Sequence, residues 1–477
     1  MSDLHHLSAV EALALFRARG LSPVELMRAT IARAEGLEPT INAFAVTHFE
    51  RALEQARAAE ARYASGDARP LEGLPVGIKD EVPIEGDPCS QGSLIEVDTI
   101  ADHTAPIARR ILEAGGIVHA RTTTPEFSCA GFTHSRLWGV TRNPWAPDWS
   151  PGGSSGGSGA ALAAGTALLA SGSDIGGSIR LPASFCGVVG FKPPYGRVPV
   201  DPPYNLDHYC HDGPMARTVA DCALLENVIA GPDPCDVVSI RPKLEIPEQL
   251  EGVEGLRIAL CLRLGDFPLD PEVEVNTLAV ADGLREAGAS VEEVELPWRR
   301  EDIIRATLVH FGEIFGRDIG RAVAEHGDLM TPYALAMVEW SLGAIERTSF
   351  LEGLELEARI YEPLGALLER SDALVCPTLG TRGLIAGDDY VDHGLEVAGV
   401  VLERYLDALM TPPFNIASRC PVLAVPSGFA DNGVPTGVQI VGRTYDDVTV
   451  FRVAAALERE RPWLDVPERR PVIVPPA

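Results

Sequence analysis

The stretch Ser150–Lys192, SPGGSSGGSGAALAAGTALLASGSDIGGSIRLPASFCGVVGFK, constrains this chain more than any other. Two Gly/Ser clusters, Gly152–Gly159 and Gly172–Ser178, flank a short Ala/Leu segment. Glycine permits positive φ and close approach of backbone to a ligand. Successive N–H groups in such a turn can converge on an anion. A serine inside the turn, as Ser178 is in DIGGSIR, would sit beside donors suited to a developing oxyanion. The plain alternative is a flexible Gly/Ser tether. Against it, the first cluster runs into AALAAGTALLA, which reads as a buried helix with small faces, and Leu181–Cys186 and Gly187–Phe191 are again apolar. Nothing here is polar enough for a spacer, so the stretch reads as a packed site.

Phosphate readings fail on the residues. A P-loop needs a lysine right after its last glycine, and no lysine occurs between Lys79 and Lys192. Gly152-Gly153-Ser154-Ser155-Gly156-Gly157 does not fit G-x-G-x-x-G, and no acidic residue follows about 20 positions on in a strand setting.

The same residues resemble the amidase signature family of serine hydrolases. The resemblance is carried by Pro151–Gly159, by Asp174-Ile175-Gly176-Gly177-Ser178-Ile179-Arg180 and by Gly190-Phe191-Lys192-Pro193. Leu74–Asp80, LPVGIKD, is similar to the family's lysine strand, and Gly213–Asp221, Phe414-Asn415, Pro421–Pro426 and Gly437–Gly442 complete the set. The likeness runs from about residue 5 to 460 and is densest from about 70 to 220. It implies a Ser–cis-Ser–Lys triad. Ser178 would be the nucleophile, Ser154 the bridging serine on a cis peptide after Gly153, and Lys79 the base. The backbone N–H groups of Ile175, Gly176, Gly177 and Ser178 would form the oxyanion hole. Ser128, Cys129, Ala130 and Gly131 would line the substrate pocket, and Ser155, Asp174 and Arg180 would support the oxyanion loop. Ser173 stands where the family often has threonine and Pro194 where threonine is also common; neither is expected to touch the triad.

The chemistry agrees with that assignment. A serine hydroxyl is a poor nucleophile until a base takes its proton. A free lysine titrates near 10.4, so a lysine base calls for burial that penalises the charged form. Leu74–Ile78 is an apolar approach of that kind.

Length alone, 477 residues, allows about three domains. The resemblance implies one amidase-signature domain over 1–477, with a helical layer at 1–70, core motifs at 71–220 and a variable pocket region at 300–400. The fold class it implies is α/β, a large mixed central β-sheet covered on both faces by helices. Ser8–Glu11 and Ser22–Glu25 are capping boxes that open two helices, and a third helix is expected over about 47–65. Beyond Leu74, strand and helix patterns alternate, with strands at Ile117–Ala120, Leu256–Leu262, Ala373–Cys376, Val422–Val425 and Gly437–Val441. Arg300–Leu342 reads as helices.

A net charge of −28 argues against a nucleic-acid partner. Nine scattered cysteines without C-x-x-C, an N-terminus lacking a basic and an apolar signal region, and no apolar run of membrane-spanning length suggest a cytoplasmic protein with reduced thiols and no membrane partner. No cofactor and no metal are expected. His208, Cys210 and His211 could be imagined as metal ligands but lack a second cluster at workable spacing. The leading expectation is hydrolysis of small neutral amides, anilides among them, through an acyl-enzyme, with carbamates and esters as further substrates of a monomer or homodimer. The uncharged 128–132 stretch favours neutral substrates, with Met337, Trp340, Leu342 and Tyr390 as rim residues. Two other readings are the glutaminase subunit of a tRNA-dependent amidotransferase and a non-catalytic relic of the family.

Overall fold

The computed structural model describes residues 4–474. Both capping boxes form as expected. Ser8 and Ser22 accept from the first turns of α1 (Ala9–Ala18) and α2 (Pro23–Ile41), while Glu11 and Glu25 reach back to the cap N–H groups. Helix α3 (Phe49–Ser65) follows a short strand that the sequence pattern did not reveal, β1 (Phe44–Thr47).

Ten further strands join β1 in one sheet: β2 (Pro75–Lys79), β3 (Ile117–Thr122), β4 (Leu169–Asp174), β5 (Val189–Lys192), β6 (His211–Ala216), β7 (Arg257–Leu260), β8 (Ser290–Glu293), β9 (Ala373–Pro377), β10 (Val422–Phe429) and β11 (Pro435–Gly442). Their order is β1-β3-β2-β4-β6-β5-β10-β11-β9-β7-β8. The β2–β3, β2–β4, β7–β8 and β7–β9 pairs are parallel and the others antiparallel, so the sheet is mixed. Alternate residues feed opposite faces, as a pleated strand requires. Leu423 and Val425 join the core that packs α1 together with α4 (Pro106–Glu113) and α7 (Val219–Ile229). Their neighbours Val422 and Ala424 face the other side, where α5 (Gly156–Ala164), α6 (Arg180–Cys186) and the helices of 300–370 lie. Every residue of β2, β3, β6 and β11 is buried. The sheet is covered on both faces.

The AALAAGTALLA segment is not one helix. Helix α5 starts inside the glycine cluster, ends on left-handed Gly165, and the last residues begin β4. Small residues hide that switch, because they suit a tightly packed helix and a central strand equally. Close approach explains the glycines of α5: a Cβ on Gly157 would lie 2.4 Å from the Thr123 nitrogen of the chain after β3.

Candidate active site

Parallel pairing of β2 with β4 brings the C-terminal ends of the two strands together. Lys79, the last residue of β2, donates its N–H to Ser171 Oγ at 3.0 Å, and its side chain is fully buried. Lys79 Nζ reaches Ser154 Oγ at 2.7 Å and Ser173 Oγ at 2.8 Å. Ser173 therefore touches the lysine, contrary to expectation. It is the second-last residue of β4, and a strand's two-residue period places it on the same face as Ser171.

Lys79 has a further neighbour that sequence reasoning missed. Glu81 Oε1 lies 2.9 Å from Nζ. Burial pushes the Glu81 carboxyl up, but Lys79 and the Ser128 and Ser173 hydroxyls outweigh that and hold it below its ordinary value. The only local signal was a carboxylate two residues beyond a strand-end lysine, where the chain turns after β2.

The Gly153–Ser154 peptide is cis. Ser155 ties the two glycine clusters together: its N–H donates to the Ser178 carbonyl at 3.2 Å, and its Oγ accepts from Ser173 N at 3.3 Å. Behind the loop, Arg180 forks onto Asp174 with bonds of 2.9 and 2.8 Å. Its remaining donors go to Gln439 Oε1 and Asn415 Oδ1, each at 2.7 Å, and to the Thr411 carbonyl at 2.9 Å. Burial would raise the Asp174 carboxyl, yet the Arg180 guanidinium and the Asn415 amide hold it well below the usual carboxylate range. The three supports expected around the loop thus converge on it, anchored by Asn415 and Gln439 from the two C-terminal motifs.

Of the four expected oxyanion donors, Gly177 differs. Its N–H is taken by Asp174 Oδ1 at 2.8 Å. Among the described residues, the N–H groups of Ile175, Gly176 and Ser178 have no backbone partner, which leaves three donors available. The Ser178 hydroxyl has no hydrogen-bond partner among the described residues and borders an apolar cavity. Its link to Ser154 is not closed in this structure.

Ser128, Cys129, Ala130 and Gly131 line that cavity. Tyr405 fixes the stretch, its hydroxyl oxygen accepting from Gly131 N–H at 3.1 Å. Of the four expected rim residues only Met337 lines the cavity; Ile304, Leu308, Phe311 and Phe315 join it in an apolar wall that Leu181, Leu406 and Leu409 extend. Trp340 instead packs against the cluster of Ile304, Leu308, Val309 and Ala344. A second cavity opens on the Ser154 side and is bordered by Glu81, Ser173 and Asp212.

The histidine cluster considered from sequence is rearranged. Asp207, His208 and His310 bring potential ligand atoms within 4.8 Å of one another, whereas Cys210 is not in the group. His310 Nε2 lies 2.6 Å from Asp207 Oδ1, and His211 is used in bonds to backbone carbonyls. All nine cysteines are unpaired, and no helix among the described residues is long and apolar enough to cross a membrane.

Comparison with known proteins fits this geometry. The Amidase family model matches residues 25–451. The chain is 34% identical to the A-type subunit of a glutamyl-tRNA(Gln) amidotransferase of Chloroflexus aggregans, over 97% of this chain and 98% of that one. It is equally 34% identical to an acylamidase of Rhodococcus erythropolis, with 97% of each chain covered. A solved bacterial aryl acylamidase of the amidase signature enzymes superposes with a TM-score of 0.90 at 29% identity, covering 99% of this chain and 100% of that one. With the family match spanning most of its length, this chain belongs to the amidase-signature family of serine hydrolases.

Proposed function

We propose that the protein hydrolyses the C–N bond of small amides whose acyl group is apolar. Ser178 attacks the carbonyl, Lys79 accepts the proton through Ser154, and the N–H groups of Ile175, Gly176 and Ser178 hold the oxyanion. Each such donor is worth about 3–4 kcal/mol of barrier in comparable enzymes. Ser154 then delivers the proton to the leaving amine, and water reverses the relay on the acyl-enzyme. Catalytic hydrogen bonds often close only in the substrate complex, so rotation of the Ser178 hydroxyl toward Ser154 completes the chain.

The observation that carries this reading is the 2.7 Å Lys79–Ser154 contact beside a nucleophile that opens onto an apolar wall. The same carbonyl chemistry extends to aryl carbamates and esters that fit the cavity. A panel of matched anilides, aliphatic amides, esters and phenylcarbamates tests it by product release. Turnover of glutamine alone would overturn it.

A second reading is the glutaminase subunit of a tRNA-dependent amidotransferase. It is favoured by the names of several curated relatives, among which that component is the more frequent. Against it stands the lining of the two cavities. Neither carries an arginine or lysine to pair the carboxylate of glutamine, and a buried unpaired charge is costly. Ammonia release from glutamine, with and without partner proteins of such a complex, separates the two.

A further inference from the structure

The two cavities beside the catalytic serines differ in chemistry. The one at Ser178 has an apolar wall. The one at Ser154 holds about 260 Å³ and is bordered by four carboxylates, Glu81, Asp201, Asp212 and Asp318, and by no arginine, lysine or histidine. Asp201 and Asp318 have partners of their own, His103 Nε2 at 2.9 Å and the Tyr204 hydroxyl at 2.6 Å. Glu81 is balanced by Lys79. Asp212 is different.

Asp212 sits on β6 directly opposite Ser173 of β4. Directly paired residues of an antiparallel ladder share a face, so its side chain stands beside the Ser173 hydroxyl that touches Lys79. It is 8% exposed and borders the cavity. Among the described residues none donates a hydrogen bond to its carboxylate. Burial, reinforced by Glu81, pushes this carboxyl up to about 8. Once Asp212 is ionised, with Glu81 matched by Lys79, the chamber lacks one positive charge, and a ligand can supply it.

The relay gives the chamber a direction. Ser178 would form its ester bond beside the apolar wall, so the acyl group belongs there. Ser154 hands the proton to the leaving nitrogen and borders the acidic chamber, so the amine belongs on that side. We propose that the leaving amine carries a second, cationic nitrogen held by Asp212 beside Glu81, which makes the substrates N-acyl derivatives of alkyl diamines. This rests on the hydrolase reading above. Hydrolysis adds one water across the C–N bond: the acyl carbon takes the oxygen, the leaving nitrogen takes a proton, and the distal ammonium is unchanged. The −28 charge of the chain draws such cations toward it.

The test compares N-benzoyl-1,5-diaminopentane with N-benzoylhexylamine, in which a methyl group replaces the ammonium, at pH 9. The expected result is a kcat/KM at least tenfold higher for the cationic amide, carried by KM, with the ratio falling toward one in Asp212→Asn. Equal turnover of the two amides by the wild-type enzyme would overturn the subsite and leave the hydrolase reading standing, as would a ratio unaltered by Asp212→Asn. Binding is read separately by calorimetry with 1,5-diaminopentane and with 1,5-pentanediol as uncharged control. Diamine binding that weakens at least tenfold in Asp212→Asn, with no binding of the diol, supports the subsite. If that holds while neither amide is cleaved, the hydrolase reading fails and the cation site stands. Diamine binding no tighter than diol binding overturns the site whatever the turnover.

Discussion

Arg180 closes on Asp174 through two hydrogen bonds of 2.9 and 2.8 Å, and neither side chain reaches solvent. Removing one partner of a buried pair strands the other charge, at a cost of about 3–5 kcal/mol. Asp174→Asn should therefore lower stability by about that much in urea unfolding. It also turns one of the two acceptor oxygens into a donor that faces the Arg180 and the Gly177 or Ile179 N–H groups, so activity should fall even where the variant is folded.

Glu81 lies 2.9 Å from Lys79 Nζ and is held in its anionic form. That carboxylate stands against the amine that must accept the Ser154 proton. Removing its charge in Glu81→Gln should change the position of the ascending limb of kcat/KM. A limb that stays in place would remove Glu81 from the tuning of the base.

Asp212 makes stability depend on pH in the opposite sense to a salt-bridged carboxylate. Its folded value is raised from 3.8 to about 8. Below pH 4 both folded and unfolded forms are protonated and nothing is lost. Between about pH 4 and 8 the unfolded chain ionises while the folded one does not, and stability falls by up to about 1.4 kcal/mol per pH unit. Asp212→Asn lacks this penalty. Its Tm advantage over the wild type should grow from pH 4 to 8 and then level off.

Gly177 has φ +131, and a Cβ there would lie 2.2 Å from Thr411 Oγ1. Thr411 is the residue whose hydroxyl donates to the Gly176 carbonyl at 2.6 Å. Gly177→Ala should displace this clamp and misalign the oxyanion donors, lowering kcat by about 10²–10³-fold with the far-UV circular dichroism unchanged. Thr411→Ala, which removes the clamp without the clash, should have a smaller effect.

What was legible in the sequence followed local rules. The capping boxes at Ser8 and Ser22 depend on residues three apart, and the motif serines and lysine carry a specific pattern, so each was readable without knowing the fold. The strand switch at Leu169 was hidden, because Ala, Gly and Ser fit a packed helix and a central strand alike. Asp212 and Ser173 were hidden for another reason. Their roles arise from pairing β6 with β4, a register that no local pattern reports. Glu81 stands two residues beyond a strand-end lysine, yet its contact with Lys79 needs the chain to turn after β2. The apolar wall takes Ile304, Leu308, Phe311 and Phe315 rather than Trp340, since which stripe of a helix faces the cavity is set by tertiary packing that no local pattern reports.

The measurement that bears most directly on the account is intact-mass and peptide analysis after treatment with a fluorophosphonate. The wild-type protein should gain one adduct, mapped to Ser178. Ser178→Ala should gain none, and Lys79→Ala should react far more slowly, because the proton relay contributes about 10²–10⁴-fold. An adduct that persists in Ser178→Ala, or that maps to another residue of the wild-type chain, would contradict the assignment of Ser178 as the nucleophile.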